Sequence, residues 1–450
     1  MTLLREVREN LRLAVPIIAT QLGMMAMGLV DTAFVGRVGE QALASVALGN
    51  NVVFGTSMFL LGLLMAVEPV ASQALGSGDG HRARAALRAS LQLAVVLSIP
   101  TALVTVFALR LLPLLRIDPQ IIPGARDYVF ARLPSILPFF LFMAGKTYQQ
   151  AANRPRVALE AAIVGNLAHV ALCFPLVFGV RALHLPALGG VGSAIATTGS
   201  TALMAVWVLG PRARIPGDAP DSRRADEFDA RVNPRMLGQL CRLGFPIGLT
   251  LTAEVGVFAL VALLMGRFGG RAVAAHQIAI GLASLSFMGA LGIAQATSVR
   301  VGMAIGEKVP RGSRQRGGVG IVLGVSVMAF SAVAFWFAPH ALARLFTPEA
   351  PVIDAAVTLI RIAAVFQLAD GTQVVSAGAL RGAADTTFPL VANVAVHWGI
   401  GLPLALFLAF HRDFGPPGLW YGLTAGLVGI AIALLARFLF LTRKDVTALS

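Results

Sequence analysis

Charge is what this sequence has least of. Only 13% of its 450 residues are Asp, Glu, Lys or Arg, while 57% are apolar. An ordinary soluble domain carries roughly 25% charged residues. So few charges cannot cover a water-facing surface, which excludes an ordinary soluble protein. Cysteine is nearly absent. The two present, Cys173 and Cys241, sit in or beside apolar stretches and read as small buried hydrophobes, not a disulfide or a metal pair. No phosphate loop ending in Gly-Lys-Ser/Thr occurs, which argues against direct use of ATP. There is no His-rich metal cluster and no Gly-x-Ser-x-Gly elbow. With no nucleophile and base standing out, the chain does not read as an enzyme and needs no organic cofactor. The N-terminus lacks a cleavable signal pattern, so its first apolar run reads as a span.

What the chain does have is long apolar runs. A bilayer core of about 30 Å needs about 20 helical residues. Leu11 to Val35, Val46 to Ala74 and Leu87 to Leu115 qualify, followed by 126–150, 157–180, 187–210, 240–266, 273–303, 317–343, 352–378, 387–410 and 416–441. The expectation is an all-α membrane protein of twelve transmembrane helices.

The formal charge of +14 would suggest nucleic acid were it not for where the charges lie. With the N-terminus in the cytoplasm, Arg5, Arg8, Arg12, Arg82, Arg84, Arg88, Arg154 and Arg156 fall inside. So do Arg212, Arg214, Arg223, Arg224, Arg231 and Arg235 of the central loop, then Lys308, Arg311, Arg314, Arg316, Arg381, Arg443 and Lys444. The opposite side holds few, the clearest being Arg37, Arg116, Arg181, Arg267, Arg271, Arg344 and Arg412. This is the positive-inside bias. It predicts a multi-pass protein of the cell (inner) membrane with both termini cytoplasmic, and no nucleic-acid partner.

The chain also repeats itself. Pro16-Ile17 matches Pro246-Ile247, and the same offset pairs Gly36-Arg37 with Gly266-Arg267, Gly39 with Gly269, Ala42 with Ala272, Ala44 with Ala274, Gly62 with Gly292 and Gly76 with Gly306. Asn166 and Pro175 correspond more loosely to Asn393 and Pro403. The halves are therefore read as an N-terminal lobe 1–210, a cytoplasmic linker 211–236 and a C-terminal lobe 237–450. Six spans per half start both halves on one side, the parallel repeat with a pseudo-two-fold axis along the membrane normal. Transporters built this way carry their substrate site between the halves and alternate its access.

Ionisable residues at membrane depth cost about 2.5–3.5 kcal/mol each on insertion scales and mark function. Glu254 lies mid-span in Leu251-Thr252-Ala253-Glu254-Val255, and Asp370 lies deep in Phe366-Gln367-Leu368-Ala369-Asp370-Gly371. Neither has a basic residue within a helical turn, so the pair reads as a site for a proton or cation. Asp31, after Gly23 and Gly28, is a candidate equivalent in the other half. Glu68, before Pro69, reads as structural, with a loop base such as Arg82 as partner. His276-Gln277 reads as interfacial, Arg300 as snorkelling, and Asn166 and Asn393 as helix-packing hydrogen bonders.

These residues resemble a known family. The run Ala274-Ala275-His276-Gln277-Ile278-Ala279, continued by Ser284-Leu285-Ser286-Phe287-Met288 and Gly292-Ile293-Ala294-Gln295-Ala296, is similar to the eighth span of multidrug and toxic compound extrusion (MATE) transporters. The pattern Pro16–Asp31–Gly36 and the stretch Gly382-Ala383-Ala384-Asp385-Thr386 extend the resemblance, which covers nearly the whole chain and points to the NorM-like branch. It implies a two-lobe antiporter that expels small organic cations against inward Na⁺ or H⁺ and works as a monomer. Glu254 and Asp370 would bind the coupling cation, and Na⁺ would be the metal ion held there. Phe287, Gln277 and Gln367 would line that site. Asp31 would be the first-lobe acid, with Thr197, Asn166 and His169 near it. One departure stands out: where the family's fifth span often carries Asn or Asp at a four-residue spacing, this chain has His169 and Cys173, and His169 is expected to pair with Asp31. Two other readings remain open, a lipid-linked precursor flippase and a non-transporting receptor or scaffold. The midspan carboxyls argue against a cationic flippase cavity, and a scaffold has no need of them.

Overall fold

The computed structural model describes residues 3–115, 117–180, 186–210, 233–309 and 311–449. Arg116, Arg181 and most of the expected linker, 211–232, lie outside the described residues. Among the described residues, twelve helices are long and apolar enough to cross a membrane. They are α1 (Leu3–Gly36), α2 (Glu40–Gly76), α3 (Gly80–Leu114), α4 (Ile122–Ala151), α5 (Pro155–Phe178), α6 (Gly189–Leu209), α7 (Pro234–Phe268), α8 (Gly270–Gly306), α9 (Gly312–Phe337), α10 (Ala350–Gly382), α11 (Thr387–His411) and α12 (Pro416–Leu441). Each coincides with an apolar run read from the sequence. Several reach one or two turns further, into flanks whose polar residues leave the hydropathy pattern but continue the backbone hydrogen bonds.

Two helices carry sequence-encoded irregularities. In α2 the helix pauses at Met65-Ala66, between segments Glu40–Leu64 and Val67–Gly76. Pro69 is the cause: it has no N–H for the carbonyl four residues back, and the Met65 carbonyl instead accepts from Glu68 N at 3.1 Å. In α11, Val394–Gly401 and Phe407–His411 widen into π-helix on either side of Leu402–Leu406, which contains Pro403. Such widenings concentrate at functional sites.

The chain forms two compact units. One comprises Met1–Ile18, Ser72–Asp79 and Leu249–Ser450; the other comprises Ala19–Ala71 and Gly80–Gly248. The first unit is called the C-unit below and the second the N-unit. In the C-unit the core includes Trp420, Phe366, Met265 and Phe438, together with Leu13 and Ile17 of α1. In the N-unit Phe142, Met143, Ala161 and Met204 pack between α4, α5 and α6, and Tyr128 and Val129 pack with Val46 and Val53.

Burial follows the logic of a lipid solvent, in which polar groups turn inward. Phe330, Phe337, Leu263 and Leu167 are exposed, whereas Asn10, Gln21, Asp31, Glu68, Lys146, His169, Gln367 and Asp370 are buried. Several buried charges have partners distant in sequence. Arg300 does not snorkel, as expected from its place in α8, but is buried with its guanidinium on Glu6 and 3.8 Å from Glu9. Arg316 meets Glu307 at 2.7 Å and Glu6 at 3.9 Å. His276 is buried rather than interfacial, accepting a hydrogen bond from Trp420 Nε1 at 3.2 Å.

The repeat has structural echoes inside the units. Gly39 and Gly269 precede α2 and α8 with φ of 151° and 90°, backbone that a side chain disfavours. Gly62 of α2 packs on Gly248 of α7, and a Cβ added there would stand 2.5 Å from the Gly248 Cα. At the paired position, Gly292 of α8 packs on Ile18 of α1, where an added Cβ would stand 2.9 Å from the Ile18 nitrogen. Ile18 and Gly248 occupy the same place in the repeat.

Candidate functional site

In the C-unit, α7 supplies Glu254, which is half-buried, and α10 supplies Asp370, which is buried. The two carboxyls lie within electrostatic range of each other. Among the described residues, no Lys or Arg is paired with either. A turn before Asp370, Gln367 donates to the Ser286 hydroxyl of α8. Phe287, half-buried, is the next residue on that helix. Gln277 is on the exposed face of α8 and is not brought to this group. Further polar atoms on α10 and α11 are buried without a partner: Gln367 Oε1, Gln373 Oε1 and Ser376 Oγ on α10, and both nitrogens of His397 on the π-helical part of α11. A buried polar atom lacking a hydrogen bond costs about 1–3 kcal/mol, so each of these is suited to a bound water.

The N-unit holds a second, tighter group. Asp31 of α1 accepts at one oxygen, Oδ1, from the Ser193 hydroxyl at 2.5 Å and faces His169 Nε2 at 2.9 Å. The expected pairing of Asp31 with His169 is thus present in the geometry. Cys173 Sγ is 3.9 Å from the same oxygen. The other imidazole nitrogen, Nδ1, is 3.3 Å from the Ser200 hydroxyl. His169 and Cys173 face the same way because they are four residues apart on α5. Thr197 is buried one turn beyond Ser193, but its hydroxyl is spent on the Ser193 carbonyl at 3.0 Å. Ser193, a member of the same sequence stretch, is the α6 residue that meets Asp31. Asn166 turns elsewhere, donating to the Gly23 carbonyl at 2.9 Å and the Ala162 carbonyl at 2.8 Å.

One buried cation escaped the sequence reading. Lys146 of α4, only 1% exposed, donates to Gln21 Oε1 at 2.7 Å. It lies within electrostatic range of Glu68, itself buried. A lysine inside an otherwise apolar run was the available signal.

Twelve spans with apolar exteriors, and carboxyls held at separate internal sites of each unit, define a polytopic membrane protein with ionisable groups at membrane depth. Comparison with known proteins narrows this. The MatE family model matches residues 16–174 and 246–407. A probable multidrug resistance protein NorM from Bradyrhizobium diazoefficiens is 36% identical over 445 residues, covering 97% of this chain and 94% of its own. The multidrug resistance protein NorM of Burkholderia vietnamiensis is 36% identical over 459 residues, covering 99% and 96%. The chain therefore belongs to the MatE family, the MATE transporters, and its similar curated relatives carry the NorM name. Among solved structures, the eukaryotic MATE transporter AtDTX14 superposes with a TM-score of 0.89 at 22% identity, covering 97% of this chain and 96% of its own. The Vibrio cholerae MATE transporter VcmN, in its bent form, gives 0.85 at 19%, covering 98% of each. At these identities the likeness is one of fold.

Proposed function

We propose that this protein is a multidrug exporter that expels small organic cations in exchange for Na⁺ or H⁺. The observation that carries the reading is the Glu254–Asp370 pair: two carboxyls in mutual electrostatic range inside the C-unit, with no basic side chain among the described residues to neutralise them. Two such groups attract a small cation strongly and tolerate its absence poorly. Family membership and the NorM-named relatives support export of drugs as the work that ion performs.

In this reading Glu254 and Asp370 hold the coupling ion, Gln367 and Phe287 border it, and Asp31 is the acid of the first lobe. The sequence halves 1–210 and 237–450, joined by the linker 211–236, are the elements that alternate access. The protein acts as a monomer in the inner membrane with both termini cytoplasmic. Ion and drug need not touch. They need only prefer opposite states, because coupling is a difference in affinity between states.

The test is ethidium efflux from vesicles with the Na⁺ and pH gradients imposed separately. One of the two gradients drives efflux in the wild type. Glu254→Gln and Asp370→Asn each reduce it to the gradient-free background while the protein still reaches the membrane. Undiminished efflux in both variants overturns the site assignment. Transport of a lipid-linked precursor in place of ethidium overturns the substrate class.

A further inference from the structure

The N-unit cluster carries chemistry that a coupling acid does not require. We propose that Asp31, His169 and Cys173 form a binding site for a thiophilic divalent metal ion of the Zn²⁺ class. This goes beyond the function proposed above, in which Asp31 enters only as the first-lobe acid, and its test reads metal binding without transport.

The donor set selects the ion. Three side chains from α1 and α5 offer one carboxylate oxygen, one imidazole nitrogen and one sulfur, with all three donor atoms within 4.8 Å of one another. A tetrahedral ion with bonds of about 2.0–2.3 Å spaces its donors about 3.3–3.8 Å apart. The Cys173–Asp31 separation of 3.9 Å is close to that. The His169–Asp31 separation of 2.9 Å needs only a small opening. His169 and Cys173 are one helical turn apart on α5, a spacing that points two ligands at one ion. Ser193 Oγ, already against Asp31, or a water completes four-coordination. Na⁺, Mg²⁺ and Ca²⁺ take mainly oxygen donors, six or more for the divalent ions, and this cluster does not provide them. Sulfur and imidazole select Zn²⁺, Co²⁺ and their neighbours.

The imidazole is also oriented for a metal. Ser200 donates its hydroxyl proton to its own helix, to the Ala196 carbonyl at 2.9 Å, so its lone pair is free to accept from His169 Nδ1–H. In the tautomer with its proton on Nδ1, the Nε2 lone pair points at Asp31 Oδ1, 2.9 Å away. A cation can stand between them. A shared proton satisfies that geometry, and so does a metal. A hydroxyl fixing the far nitrogen resembles the usual support of a metal-bound histidine.

Charge balances as well. His169 and Cys173 are fully buried and Asp31 is 8% exposed, so an unpaired charge here is costly. A divalent ion with one carboxylate, one thiolate and a neutral imidazole sums to zero. Binding expels the thiol proton and the proton shared by Nε2 and Oδ1, two protons per ion, and forms the metal–sulfur, metal–nitrogen and metal–oxygen bonds in their place.

Cobalt reports the site directly. The purified full-length transporter, stripped with chelator, is titrated with Co²⁺ alone. The expected result is one Co²⁺ per chain, with a sulfur-to-cobalt charge-transfer band in the near ultraviolet and the visible bands of a four-coordinate ion, all displaced by Zn²⁺. Cys173→Ser removes the charge-transfer band, whereas Cys241→Ser keeps it. His169→Asn weakens binding by well over tenfold, and Ser200→Ala by about tenfold, as loss of a supporting partner does. A wild-type protein without the charge-transfer band overturns the proposal, whatever the variants do. So does a band that survives Cys173→Ser, or an affinity indifferent to His169→Asn.

Discussion

The two acidic centres differ in what surrounds the carboxyl. In the N-unit, Asp31 is already answered by protein: Ser193 donates to it and His169 faces it at 2.9 Å. In the C-unit, Glu254 and Asp370 lie within electrostatic range of each other, and buried amide, hydroxyl and imidazole atoms on α10 and α11 lack partners. An acid with its hydrogen bonds filled gains little from a hard, exchangeable ion such as Na⁺. A pair of acids without them gains much. A repeated scaffold therefore need not repeat its chemistry. Under the proposed function, the unit whose carboxyls lack a protein partner is the one that loads and unloads the coupling cation.

The largest effect should fall on the C-unit. Asp370→Asn and Glu254→Gln are expected to remove coupled efflux altogether. Asp31→Asn should leave a measurable fraction, because Ser193 and His169 already stand against its carboxyl. The separation is read in initial rates of efflux at a fixed gradient. Equal loss in all three variants would erase the distinction between the centres.

A second contrast lies within the C-unit, between acids with a cation and acids without. Glu6 is buried against Arg300, with Arg316 3.9 Å away. Removing one partner of a buried pair leaves a bare charge and costs about 3–5 kcal/mol. Arg300→Gln is thus expected to lower the melting temperature in detergent sharply, and Glu6→Gln added to it should restore part of the loss. Glu254→Gln, which strands no cation, should leave the melting temperature unchanged or raised. If Arg300→Gln melts like the wild type, the pair has no structural weight. In the N-unit, Lys146→Met asks the same of Glu68, with a smaller expected fall, since Lys146 donates to the neutral Gln21 amide.

The twelve spans were legible because a run of some twenty apolar residues is a local property, and the bilayer leaves helices as the outlet for it. The acids were legible for the same reason: a carboxyl in such a run stands out. Partner identity was not local. Arg300 reads as a snorkelling side chain because its partner Glu6 comes from the far end of the chain. Thr197 has the right type and helix for the first-lobe acid, yet Ser193, four residues earlier on the same face of α6, makes the contact. Helical periodicity gives the face but not the turn on which it meets another helix. Gln277 belongs to a motif whose adjacent residue, His276, is the one that turns inward. The crossing of α1 and α7 from one compact unit to the other at Ile18 and Gly248 leaves no composition signal, only the Pro-Ile pair just before each.

That crossing supplies the finest test of how far the repeat extends. Gly62 against Gly248 and Gly292 against Ile18 are repeat-equivalent contacts, one in each unit. In both, an added Cβ would fall on backbone atoms, which cannot rotate away as a side chain can. Overpacking of this kind costs about 1–3 kcal/mol. Gly62→Ala and Gly292→Ala should each destabilise by that order, read as matched downward shifts in melting temperature. Gly28→Ala and Gly281→Ala, where nothing stands within 4 Å, should be neutral or mildly stabilising, since alanine is the better helix former by about 1 kcal/mol. Matched losses at 62 and 292 would mean that the two halves keep the same helix-crossing geometry even where their acidic centres have parted. A loss at one position only would mean that the packing has diverged along with the chemistry, and the offset seen in sequence would then record ancestry alone.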